Sequence, residues 1–152
     1  SGPNGRRDVH VEEICTGPGQ TSLAKGEIVV TINLPKQAPR TGDAYLRFIP
    51  RTEMDIAVVG VGVCLTLDEG GTCTDARVSL GAVAPTALLV KECADALVGT
   101  KVDDAAMANL DAAARAAASP IDDKRGTVEF RTKVSGVLAR RAAAIALERA
   151  GS

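Results

Sequence analysis

The sequence predicts an α+β fold, an antiparallel three-stranded sheet packed on three helices. Three observations predict it. β-branched runs fill the first half and helical periodicity fills the second, in blocks rather than in alternation. A long apolar segment, Asp55 to Leu67, meets the turn Asp68-Glu69-Gly70-Gly71 and returns as Thr72 to Val83. One face of that hairpin needs a cover, and the apolar stripes of the helical half supply one.

The elements follow in order. Val9 to Cys15, VHVEEIC, is β-rich and predicts a strand. Thr16 to Gln20, TGPGQ, predicts a loop. Glu27 to Leu34, EIVVTINL, predicts a second strand, ended by Pro35, which has no N–H for a ladder. Lys36 to Gly42 is polar and carries Pro and Gly, so a domain boundary falls there. A strand resumes at Asp43 to Ile49. Gly60 and Gly62, inside the long segment, mark a bulge or a close backbone approach. The glycines of DEGG supply positive φ for the turn.

A helix is expected from Thr86 to Val98, with Leu89, Cys93, Ala96 and Leu97 on one face and Gly99 as its cap. A second starts at Asp103 or Asp104 and buries Met107, Leu110, Ala114 and Ala117, ending at Ser119-Pro120. A third runs from Gly126 or Thr127 to about Arg149, with Phe130, Val134, Val137, Leu138, Ala142 and Ile145 at helical spacing.

Composition narrows the function. Of 152 residues, 45% are apolar but only 2% aromatic, so the core is aliphatic and Ala-rich. With 18 basic and 19 acidic residues, the chain has no excess charge for a phosphate backbone and no aromatic platform for stacked bases. Nucleic acid is therefore not an expected partner. No apolar run reaches the roughly 18 residues of a membrane span. Cys15, Cys64, Cys73 and Cys93 form no close ligand pair for zinc or an iron–sulfur cluster. Reduced thiols in a cytoplasm are expected, with a Cys64–Cys73 bridge across the hairpin as the one disulfide to consider.

The single histidine, His10, allows neither a metal trio nor a Ser-His-Asp arrangement, and reads as structural or exposed. Gly17 to Ser22 lacks the Lys and the spacing of a phosphate loop. Asp122-Asp123 reads as charge at a helix start. Tyr45, Arg47 and Arg51 sit on a half-exposed strand. Tyr45 offers a flat face for a ring, and a guanidinium such as that of Arg47 stabilises negative charge beside one. Arg51 and Asp55 read as a structural ion pair.

Three ordered segments carry a resemblance: AYLRFIPRTEMDIAVVGVGV (Ala44 to Val63), ARVSLGAVAPT (Ala76 to Thr86) and EFRTKVSGVLARRA (Glu129 to Ala142). With GPGQTSLAKGEIVVTINLP before them, they resemble the medium, FAD-carrying subunit of the molybdenum hydroxylases, the carbon monoxide dehydrogenase and xanthine dehydrogenase family. The resemblance implies that residues 41–152 are that subunit's C-terminal domain. It implies that residues 1–40 are the last strands of a vanillyl-alcohol-oxidase-type FAD-binding domain.

In that family the subunit passes electrons through FAD to an acceptor. They come from iron–sulfur clusters in a small subunit and arise in a molybdopterin-binding large subunit. By similarity Arg47 lies beside the flavin pyrimidine edge, Tyr45 near the ring, and Val29 where a terminal strand approaches it. The family's AGGHS and TIGG loops, which hold the FAD diphosphate, are absent from this sequence. The expected identity is therefore the C-terminal half of such a subunit, inactive without its N-terminal half and partners. The alternative is an interaction domain that docks subunits without binding flavin.

Overall fold

The computed structural model describes residues 1–52 and 54–152. A 3-10 turn at Val11–Glu13 is followed by a short hairpin, β1 (Cys15–Gly17) and β2 (Gln20–Thr21). The main sheet is antiparallel in the order β3 (Thr41–Phe48), β4 (Val59–Leu67), β5 (Cys73–Gly81) and β6 (Leu88–Leu89). Three helices follow: α1 (Lys91–Asp95), α2 (Asp104–Ala117) and α3 (Val128–Gly151).

The α+β order, the antiparallel pairing of the three long strands and the number of helices are those expected from the sequence, while the two-residue β6 adds a fourth strand to the expected three. Alternation decides the sheet's two faces. Val59, Val61, Val63, Leu65 and Leu67 point into the core with Val78 and Leu80, while Gly62, Cys64 and Thr66 point away. Asp68 closes the β4–β5 turn by accepting from the Thr72 amide at 2.7 Å, and Gly71 takes φ +78°.

α3 covers β3 and β4, and α2 packs on α3. Close approach is possible because the contact residues are small. α3 buries Ala139, Ala142, Ala143, Ala146 and Ala150, and Gly42 of β3 lies against its last turns. At the helix crossing, a Cβ on Gly136 would stand 2.7 Å from the Asp111 carboxylate, whose partner is Arg115. Both long helices are capped by side chains. Asp103 accepts from the Ala106 amide at 3.0 Å, and Thr127 accepts from the Phe130 amide at 3.1 Å.

Several expectations are corrected. Val9 to Cys15 is not a strand: Val11–Glu13 turns as a 3-10 helix, and pairing begins only at Cys15. TGPGQ is not wholly a loop, because Gly17 pairs with Gln20 around a Pro18-Gly19 turn with Gly19 at φ +69°. Glu27 to Leu34 forms no strand, and Ile28, Val29, Val30, Ile32 and Leu34 are all exposed. Its residues have β propensity but no neighbouring strand edge, and propensity without a partner does not make a strand. The expected first helix is cut to five residues, because Leu88 and Leu89 pair with Leu80 and Ser79 and the Val90 amide bonds Val78 O at 2.9 Å.

The third helix turns inward a face that only partly coincides with the expected stripe. Of the expected stripe, Leu138 and Ala142 are buried, beside Ala139, Ala143, Ala146 and Ala150, while Phe130, Val134, Val137 and Ile145 lie at its margin, Phe130 against Phe48 of β3 with ring centroids 5.8 Å apart. All four cysteines are free. Cys64 points to the open face and Cys73 into the core, which rules out the bridge.

Candidate functional site

The open face of the sheet is the candidate site. β3 lies at the sheet edge and sends Asp43, Tyr45 and Arg47 to this face. Register aligns them with β4 and β5: Asp43 with Cys64 and Arg77, Tyr45 with Gly62 and Ser79, Arg47 with Gly60 and Gly81. An open groove of about 530 Å³ runs along it, lined by Glu12, Asp43, Tyr45, Cys64, Arg77 and Leu89 among others. The 3-10 turn closes one side, where Glu12 faces Arg77 at 3.8 Å.

Tyr45 has an unusual setting. Its ring lies down over β4 instead of standing off the sheet. A Cβ on Gly60 would meet its hydroxyl oxygen at 2.7 Å and its ring carbons at 3.4 Å. Gly60 is buried although it belongs to the open face, because that ring covers it. The residue remains 65% exposed, so the other ring face is open. Tyr45 thus presents a plate backed by peptide on one side and free on the other. Arg47 is exposed two residues along, and no ion pair engages it among the described residues.

Tyr45 and Arg47 therefore share one face of one strand, as their spacing predicts. Val29 is not brought to them by a strand: it lies in the irregular segment, 55% exposed, and does not line the groove. His10 is exposed at the start of the 3-10 turn. Gly60, Gly62 and Ser79 carry the floor of the site. Two glycines in one strand were the available signal: the β3–β4 register runs through both without a bulge, and what comes close is the Tyr45 side chain at Gly60 and the Ser79 side chain at Gly62, not another backbone.

The end of the sheet next to Arg47 is held by charge. Arg51 and Asp55 form the expected pair at 3.1 Å, and Arg125 joins Asp55 at 2.9 Å. The hydrogen bond from Arg125 is the main reason the Asp55 carboxyl is held down at about 2, with help from the Ile56 amide. Glu53, in the same segment, lies outside the described residues. Asp122 and Asp123 do sit at a helix start: Asp122 accepts from the Val128 amide, and Asp123 accepts from buried Arg131 at 2.6 Å. That contact with Arg131 leads the downward shift of the Asp123 carboxyl.

Burial pushes the Cys64 thiol up, with Asp43 adding to it, and burial pushes Cys93 up to about 12. Both stay as thiols at neutral pH. Among the described residues no group of three or more His, Cys, Asp or Glu could hold a metal ion. No helix among them is long and apolar enough to cross a membrane.

Comparison with known proteins gives a consistent result. The family model described as CO dehydrogenase flavoprotein C-terminal domain matches residues 44–146. The carbon monoxide dehydrogenase medium chain of Afipia carboxidovorans is 37% identical over 99% of this chain and 51% of its own length. The xanthine dehydrogenase FAD-binding subunit of Escherichia coli O157:H7 is 35% identical over 55% of this chain and 29% of its own length. Among solved structures, reconstituted CO dehydrogenase from Oligotropha carboxidovorans superposes with a TM-score of 0.92. It is 36% identical and is covered over 97% of this chain and 51% of that one. The chain spans about half the length of the medium chains it matches.

Proposed function

The chain belongs to the CO dehydrogenase flavoprotein C-terminal domain family, and from that premise we propose that it is the C-terminal part of an FAD-carrying subunit of a molybdenum hydroxylase. Residues 41–152 close one side of the flavin site. Residues 1–40 belong to the preceding flavin-binding domain. In support of that division, no residue before Thr41 is buried and the core cluster begins at Ala44.

The observation that carries the proposal is the pair on β3: a tyrosine plate with one free face and, two residues on, a guanidinium with no ion pair among the described residues. Both fit a planar, electron-accepting ring. FAD when bound supplies two-electron redox chemistry and passes electrons on to an acceptor. Tyr45 covers a face of the ring and keeps water from it. Arg47 holds positive charge at the pyrimidine edge, where negative charge gathers on reduction, and so raises the potential. Val29 is assigned to backbone contact with the same ring, through a segment that becomes a strand when the rest of the subunit is present. The diphosphate is held by loops of that other half.

The partners are a molybdopterin-binding large subunit and an iron–sulfur small subunit, in the cytoplasm. The test is in two parts. The chain alone, titrated with FAD, should bind no tighter than micromolar; submicromolar binding would contradict the division of the site. In the complete subunit, Arg47→Ala should lower the flavin midpoint potential with FAD content retained; an unchanged potential would remove Arg47 from the site.

A further inference from the structure

We propose that Gly60 is a positioning residue for the flavin ring: a side chain reduced to hydrogen at this point of β4 lets Tyr45 lie flat and so sets the plane on which the ring rests. The proposal rests on the placement of Tyr45 above and assigns a role to the glycine that its ring covers.

Tyr45 stands opposite Gly62 and leans diagonally over Gly60, the partner of Arg47. A Cβ at Gly60 would stand 2.7 Å from the Tyr45 hydroxyl oxygen, inside van der Waals contact. A Cβ at Gly62 would stand 2.8 Å from the Ser79 hydroxyl oxygen and 3.8 Å from the Tyr45 ring. Tyr45 and Ser79 thus lean over the glycine strip from opposite sides. Neither glycine adopts positive φ, so backbone conformation does not explain their presence. Nor does a bulge, because pairing with β3 and β5 is continuous through both. Glycine within a strand forgoes side-chain packing and is unfavourable unless something approaches closely. At Gly60 the thing that approaches is the tyrosine ring, and at Gly62 it is the Ser79 hydroxyl.

The clash at Gly60 is with the far end of a side chain, not with backbone. Gly60→Ala therefore lifts the ring and leaves the fold in place. Gly81 provides the control. It lies beside Gly60 on the same face, and a Cβ there would meet nothing closer than 3.9 Å.

Tyr45 is the only tyrosine, and the chain has no tryptophan, so the tyrosine near-ultraviolet circular dichroism reports this ring alone. In this chain, Gly60→Ala should keep the far-ultraviolet spectrum and lose the tyrosine band, while Gly81→Ala keeps both. A tyrosine band unchanged in Gly60→Ala would overturn the proposal. In the complete FAD-loaded subunit, Tyr45→Leu should raise flavin fluorescence by removing a stacked ring. Gly60→Ala should raise it likewise and add nothing in the Tyr45→Leu background. If Tyr45→Leu raises fluorescence and Gly60→Ala does not, the positioning role falls and the flavin site stands. If Tyr45→Leu changes nothing, the placement of Tyr45 against the flavin falls, and the role of Gly60 with it.

Discussion

Gly42 of β3 lies directly against the Ala146 carbonyl of α3: a Cβ on Gly42 would stand 2.1 Å from that oxygen and 2.5 Å from the Ala150 amide nitrogen. Both atoms belong to helix backbone, which cannot swing away. Gly42→Ala must push the helix off the sheet. It should cost about 1–3 kcal/mol, as overpacking does, with a lower urea midpoint and an unchanged slope as the readout. Gly81→Ala should be close to neutral in the same assay.

Arg131 is a staple between helix and sheet. It is 4% exposed and donates to Val58 O at 3.0 Å, Ala82 O at 3.3 Å and Asp123 at 2.6 Å. Arg131→Met fills the space and takes the donor from the Val58 and Ala82 carbonyls, while Asp123 keeps the Arg125 amide. A loss of about 1–3 kcal/mol is expected, the range for buried acceptors left without their donor. Chemical denaturation measures it. Arg131→Lys should rescue only part, because one ammonium cannot reproduce the fork.

Acid should loosen the sheet end. The Asp55 carboxyl is depressed to about 2, first by the Arg125 hydrogen bond, and Asp123 is shifted downward by Arg131. A carboxylate depressed in the folded state adds stability that is present above its unfolded value near 4 and lost as pH falls toward 2. Stability should therefore drop between about pH 4 and 2. Asp55→Asn should flatten that drop while lowering stability at neutral pH. An unchanged acid profile in Asp55→Asn would refute the assignment.

The two long helices depend on their caps. Asp103→Ala and Thr127→Ala each remove the acceptor of a first-turn amide. Each should cost about 1 kcal/mol. The Thr127 change should fray α3 beside Arg131, visible as faster hydrogen exchange at Phe130 and Arg131.

The segment after Glu27 should exchange quickly in the isolated chain. Ile28 bonds Ser1 O at 2.9 Å, but Val29 to Leu34 lie in no strand and their apolar side chains are exposed. An unpaired apolar edge invites a partner strand. Hydrogen exchange should show Val29 to Ile32 unprotected alone and protected in the complete subunit. Strong protection in the monomer would refute the domain division.

The sequence alone determined the block order, the β4–β5 hairpin, both capped helices and the shared face of Tyr45 and Arg47. These follow from local rules: period two along a strand, capping residues before helices, and glycine where a turn needs positive φ. The three ordered segments carried the family in the same way. Tertiary structure decided the rest. α3 set Ala139, Ala143, Ala146 and Ala150 inward beside the expected Leu138 and Ala142 and left Val134 and Ile145 at the margin, because a helix meets a strand at Gly42 only where both surfaces are small. Leu88 and Leu89 left the expected first helix because the edge of β5 offered hydrogen bonds. Glu27 to Leu34 remained irregular because no edge offered any. The floor under Tyr45 needed register as well: only pairing could place Gly60 beneath a ring fifteen residues away in sequence. Periodicity fixes which face a residue takes, while what lies across from it is settled by chain segments that local pattern does not relate.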